Sequence, residues 1–334
     1  MDSLKLPLPD DFHVHLRQGE LLAHYAKTVV QDFGRILVMP NTVPPISCAQ
    51  SLCEYRKQIH DAAPGLDLLM TFKLNAQLSS NDLQQLKDAG AVAGKYYPAG
   101  VTTNSEDGVS EFESIFPVVA EMEKLGLVLC IHGEEPGAFC LDRESLFIRR
   151  VECLARKFPK LKIVFEHLST KAAVDAVLRL PSNVAATITV HHLLHTLDDI
   201  VGASLHPHHF CKPLPKRSED REALRAAAFS GNPKFFFGSD SAPHEKGKKE
   251  GPCGAAGVYS APVAVPILIE IFERNGVLDK LPDFIAGFGA DFYGIERTKK
   301  CCTYLQKPWT VPENIDGAVP LFAGKTLKWR KSAE

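Results

Sequence analysis

Asp11-Phe12-His13-Val14-His15-Leu16-Arg17 alternates polar with apolar side chains, the period-2 pattern of a β-strand. The strand spans residues 11–16, and a helical pattern follows at 20–32. The same order then recurs along the chain. Residues 35–39 close at Pro40 and precede a helix-like stretch at 49–62. Residues 68–74 precede a helix that reaches Ala89, with Ser80 or Asn81 as its cap. Residues 91–96 lead through a loop rich in Gly, Thr, Asn and Ser to a helix at 111–125, stopped by Gly126. Strands at 127–131 and 163–166 are followed by helices at 144–157 and 171–180. Residues 184–190 are rich in Thr, Ile and Val, and a helix at 219–229 comes after a long irregular connection. The last strand, 235–237, ends in Gly238-Ser239-Asp240, with helices at 264–274 and 282–288 behind it.

Eight strand-then-helix units in regular alternation predict a parallel sheet covered by helices, and the number eight points to a TIM-type (β/α)8 barrel. A doubly wound open sheet is the rival, but it usually carries a Gly-rich phosphate turn after an early strand, and none is present. No repeat, low-complexity tract or Gly/Ser linker divides the chain. Residues 1–334 are therefore expected to form one domain. Residues from about 296 onward read as a C-terminal extension packed on the barrel through Trp309, Leu321, Phe322 and Trp329.

Composition narrows the class. Of 334 residues, 45% are hydrophobic, and a chain of this size buries roughly three-quarters of its unfolded surface. Lys and Arg number 38 against 40 Asp and Glu, for a net charge of −2, which argues against a nucleic-acid partner and against disorder. No apolar window approaches the roughly 18 residues of a membrane span. The opening MDSLKLPLPDD has no basic region followed by an apolar core, so no secretory signal is expected. Nine cysteines, with no C-x-x-C pair, fit a reduced cytoplasm better than a disulfide framework.

His13 and His15, at i and i+2, share one face of the first strand, where two imidazoles can reach a single metal ion. Alone, that pair is also what any alternating strand offers. Other strand ends add to it: Lys95 near the end of the fourth, His132 after the fifth, His167 after the sixth and Asp240 after the eighth. In a barrel these ends meet at one rim, where such enzymes build their sites. Four histidines and an aspartate suit zinc. An ammonium is repelled by a dication, but a Lys95 amine carboxylated by carbon dioxide becomes a two-oxygen anion able to bridge two metals about 3.5–4 Å apart. His191, His192 and His195 follow the seventh strand, and the first two are near enough to approach the rim. His206, His208 and His209 read as structural or surface residues, and His24 and His60 as parts of solvated helix faces. The charged run at 246–250 reads as a solvated loop.

These motifs resemble a known family. D-F-H-V-H-L-R from Asp11 to Arg17, and G-S-D-S-A-P-H from Gly238 to His244 with Lys249 following, resemble the two signatures of the dihydroorotases in the amidohydrolase superfamily. V-M-P-N ending at Asn41, G-K-Y-Y-P-A around Lys95, T-T-N from Thr102, I-H-G-E around His132 and F-E-H ending at His167 resemble its shorter, single-function type. The likeness runs in order from about residue 9 to Trp329. It implies that His13, His15 and Asp240 hold the more buried zinc, that His132 and His167 hold the second, and that carboxylated Lys95 and a hydroxide bridge the two. It implies that Arg17, Asn41 and His244 grip a substrate carboxylate, and that Thr102 and Thr103 lie on a loop closing over substrate. It also implies that the backbone at Ala256 and Gly257 meets a pyrimidine ring. One departure is Cys211-Lys212-Pro213, where the family's C-L-P is expected; Lys212 keeps the backbone contact and adds charge at the site's edge.

The activity so implied is reversible cyclisation of N-carbamoyl-L-aspartate to L-dihydroorotate, with Asp240 as general base and acid, in a cytoplasmic homodimer. The rivals are hydrolysis of another cyclic amide or a lactone, for which the carboxylate grip would be unused, and an inactive scaffold barrel, which would be expected to have lost ligands.

Overall fold

In the computed structural model, residues 2–101, 108, 109 and 111–332 are described. Ser3–Pro7 (β1) precedes eight parallel strands: β2 (Asp10–Val14), β3 (Arg35–Val38), β4 (Asp67–Lys73), β5 (Ala91–Tyr96), β6 (Val128–Ile131), β7 (Ile163–Phe165), β8 (Val184–Ile188) and β9 (Phe235–Phe237). They hydrogen-bond in chain order from β2 to β9. The ends are tied together at the rim, where Asp240 N donates to His13 O at 2.8 Å and His15 N to Ser241 O at 3.0 Å. The alternation of strands and helices thus yields the expected barrel.

Period-2 alternation sorts the apolar side chains into two layers. Leu37, Met39, Ala93, Val128, Val164, Ala185 and Phe236 fill the barrel, with Phe288, Phe292 and Tyr293 packed against them. Ile36, Val38, Leu129, Ile131, Ile163, Ala186 and Ile188 face outward beneath the helices. Each buried Val, Leu or Ile contributes about 1.5–3 kcal/mol. The β2–β3 ladder shifts register between Asp11 and Val14. That irregularity lets Phe12 join the interior while His13 and His15 reach the rim.

Several boundaries differ from the sequence expectation because caps act locally. The third barrel helix is capped by Ser79, one residue before the expected Ser80 or Asn81, through a reciprocal box with Asp82. The helix expected over 111–125 begins as a 3-10 turn at Phe112–Ile115 and becomes α-helical at Phe116–Leu125, and Gly126 ends it at φ 70°. The stretch 282–288 is divided between two helices, Leu281–Ala286 and Phe288–Tyr293. The strand expected over 184–190 stops at Ile188, since Thr189 caps a short helix at Val190–Leu194 by accepting from His192 N.

Beyond the barrel, β10 (Cys301–Leu305) pairs antiparallel with β1, β11 (Trp309–Thr310) pairs with β12 (Thr326–Leu327), and β13 (Arg330–Lys331) extends the β1–β10 sheet. Trp329 and Leu321 are buried, and Trp309 Nε1 donates to Trp329 O. Among the described residues no helix is long and apolar enough to cross a membrane.

Candidate functional site

The strand ends bring His13, His15, Lys95, His132, His167 and Asp240 to one cavity. His13 Nε2 and His15 Nε2 lie 3.4 and 3.2 Å from the same oxygen, Asp240 Oδ1. The His167 ring is 5.0 Å from that of His13 and 4.8 Å from that of His132, centroid to centroid. Lys95, on β5, lines the same cavity, its Nζ buried without a hydrogen-bond partner. The backbone is bent to aim these groups: His167 and Asp240 have φ of 42° and 45°, and Arg17 has 63°. Such left-handed conformations cost non-glycine residues about 1–3 kcal/mol each and persist where the surroundings hold them.

The electrostatics suit cation binding. Burial and the Lys95 charge, against the pull of Glu166, lower His13 to about 4. Burial, with Arg17 and Lys95 beside it, holds His15 well below the usual imidazole range, and burial does the same for His167 next to His132. These rings therefore carry the free lone pair that ligation requires. Burial also lowers Lys95, favouring the neutral amine that carboxylation needs, and raises Asp240 despite His13 and Lys95. Two carboxylates orient two of these imidazoles. His13 Nδ1 donates to Glu166 Oε2 at 2.8 Å and His132 Nε2 to Glu134 Oε2 at 2.7 Å, leaving His13 Nε2 and His132 Nδ1 for a metal. Burial pushes Glu166 up, but His13, Lys95 and the Thr187 hydroxyl outweigh it and hold it below its usual range. An orphaned Lys95 amine, neutral imidazoles and an acid make a donor set that fits divalent metal.

The rest of the cavity lining carries a guanidinium, an amide and backbone groups. It is formed by Arg17, Asn41, Lys212, Ala256 and Gly257 together with Ala242. Arg17 Nε donates to Pro243 O at 2.9 Å, and Tyr55 Oη donates to Arg17 O at 2.6 Å. His244 Nε2 lies 2.9 Å from Arg17 Nη2 and 3.0 Å from Ala256 O. Gly257 has φ 148°, and a Cβ there would lie 2.5 Å from Ala242 O, so only glycine lets the backbone approach this closely. Thr102 and Thr103 lie outside the described residues.

The run 246–250 is exposed as expected except at Lys249, but it is not a loop. It forms a short helix that buries Lys249, whose Nζ donates to Phe210 O at 2.9 Å and Gly257 O at 2.6 Å. One ammonium thereby joins the segment entering Cys211-Lys212 to the one carrying Ala256-Gly257. Sequence reading missed this, as it did the orienting parts of Glu166 and Glu134. The available signal was a carboxylate one or two residues from a candidate ligand, in F-E-H and I-H-G-E. His191 and His192 are buried behind the rim, outside the set that lines the cavity.

No protein-family model matches the chain. It is 43% identical to the dihydroorotase of Teredinibacter turnerae, over 98% of each chain. Among solved structures, the dihydroorotase of Campylobacter jejuni superposes with a TM-score of 0.92 at 40% identity, covering 99% of this chain and 97% of that one. The dihydroorotase of Saccharomyces cerevisiae, in complex with 5-fluoroorotic acid, superposes with a TM-score of 0.94 at 33% identity over 99% of both chains.

Proposed function

The chain belongs to the dihydroorotase family and is a hydrolase of cyclic amide C–N bonds, and from this premise we propose how its rim carries out the reaction. The reaction is the reversible ring closure of N-carbamoyl-L-aspartate to L-dihydroorotate plus water, a step of pyrimidine synthesis. His13, His15 and Asp240 would hold one zinc and His132 and His167 a second, with Lys95, carboxylated on Nζ, as their bridge. Bound there, the zinc pair supplies a nucleophile at neutral pH and polarises the amide carbonyl.

The protein's own groups do the rest. In the hydrolytic direction water adds to the ring carbonyl attached to the methylene carbon. Asp240 takes the proton from the attacking oxygen and returns it to the departing ring nitrogen, which becomes the carbamoyl NH2. Arg17 presents a planar fork to the substrate carboxylate, and Asn41 and His244 complete that grip. The backbone at Lys212, Ala256 and Gly257 receives the ring edge. The chain is read as one catalytic domain with residues from about 296 as its extension. We further propose a homodimer in the cytoplasm, as the family resemblance suggests.

The observation that supports this reading is that Arg17 and Asn41 line the same cavity as the convergent imidazoles, Lys95 and Asp240. Ultraviolet assay of the purified protein with dihydroorotate, beside a hydantoin and with metal analysis, tests it. Turnover confined to dihydroorotate with about two zincs per chain is expected; turnover of the hydantoin alone would move the chain to another substrate.

A further inference from the structure

Behind the rim lies a second convergence of donor atoms. Because Thr189 starts a helix at Val190–Leu194, consecutive residues His191 and His192 both turn inward, with ring centroids 4.7 Å apart. Cys211 meets them from the following long connection, and one donor atom from each of the three lies within 4.8 Å of the others. All three side chains are buried.

Their hydrogen bonding is incomplete in an informative way. Neither ring nitrogen of His191 has a partner, although the residue is fully buried. A buried polar group left so costs about 1–3 kcal/mol. Cys211 Sγ and His192 Nε2 both donate to one oxygen, Pro213 O, at 3.3 and 3.1 Å. Pro213 O takes both of these donors, while the neighbouring His191 imidazole has no partner.

We propose that His191, His192 and Cys211 form a further metal site, for a divalent ion of the zinc type, separate from the rim centre. Entry of the ion replaces the two hydrogens now directed at Pro213 O. The thiol proton leaves to solvent and Cys211 binds as thiolate. His192 keeps one ring proton, now on Nδ1, where Thr189 Oγ1, 2.8 Å away, changes from donor to acceptor. One lone pair of His191 gains the partner it lacks, and Pro213 O is at hand as a fourth donor. Two imidazoles, a thiolate and an oxygen form a set that zinc accepts, and bond lengths of about 2.0–2.3 Å ask for side-chain shifts of about 1 Å. Occupancy would pin the segment that runs from Cys211 into Lys212 at the edge of the reaction pocket.

Cobalt(II) is the probe, because a thiolate bound to cobalt absorbs strongly in the near ultraviolet and the rim ligands contain no sulfur. Cobalt-loaded wild-type protein is expected to show this band and to hold one more ion per chain than Cys211→Ser, which should lack the band. His191→Ala should weaken binding at this site by about tenfold or more. No band in saturated wild-type protein would overturn the proposal, and so would a band that survives in Cys211→Ser, since another thiol would then be its source. Should the variants fail to fold, anomalous diffraction from cobalt-soaked wild-type crystals decides. A peak among the three residues is expected, and its absence beside a loaded rim would refute the site. None of these readouts depends on turnover, so failure of the dihydroorotase reading would be seen separately.

Discussion

Glu166 accepts a hydrogen bond from His13 Nδ1 at 2.8 Å across 153 residues of sequence, and this contact selects the nitrogen that His13 presents to Asp240. The same carboxylate oxygen accepts from Thr187 Oγ1 at 2.6 Å, and Thr187 Oγ1 in turn accepts from His167 N at 2.6 Å. One buried chain of hydrogen bonds thus positions two of the proposed ligands.

Glu166→Ala should therefore weaken metal retention by about 10–100-fold, the usual cost of losing a group that orients a ligating imidazole. Competition with a chelator, read as zinc released, measures it. Glu166→Gln, which keeps an acceptor oxygen, should fall between the variant and wild type. Equal retention in all three proteins would show that His13 is oriented by other contacts.

Arg17→Ala should leave metal content unchanged and cut kcat/KM for dihydroorotate. Charge-assisted hydrogen bonds of about 1.5–3 kcal/mol correspond to roughly a 10- to 150-fold loss. Steady-state kinetics beside metal analysis checks both halves, and unaltered kinetics would place the carboxylate grip elsewhere.

For Lys95→Ala the expectation is loss of the bridge, weaker metal binding and activity near background, with part of it restored by added short carboxylic acids. The direct check is a high-resolution map of zinc-loaded, active wild-type protein. Branched density at the Lys95 tip is expected, and unbranched density would require a different bridge.

Glu144 offers a pH test away from the rim. Burial, against Lys216 and the donors of Ser169, pushes its carboxyl from 4.5 to about 7. Between those values the folded chain keeps a proton that the unfolded chain has lost. The proton's contribution to stability is whole below 4.5 and disappears as pH rises through about 7. Glu144→Gln has no such proton. Relative to wild type, it should gain up to about 3 kcal/mol between about pH 4.5 and 7.5, at 1.36 kcal/mol per unit. Denaturant unfolding at both ends of that window measures it; a difference that does not change with pH would refute the shift.

Periodicity is a local property, which is why the eight strand-then-helix units and their rim could be read directly from the chain. Once the strands are parallel and in order, the ends that carry His13, Lys95, His132, His167 and Asp240 have one place to meet. Local caps already escaped that reading: Ser79 competes with Ser80, and Thr189 turns the end of an apparent strand into a helix. What no local pattern contains is a partner distant in sequence. Burial of Lys249 depends on carbonyls at Phe210 and Gly257, and β1 finds its partner only in β10. The tautomer of His13 depends on a carboxylate just beyond the end of β7. The residue types, their order and the family were legible in the sequence. Which nitrogen faces the cavity, and which charge is buried, only the tertiary structure decided, because desolvation and hydrogen bonding act across space between groups the chain keeps far apart.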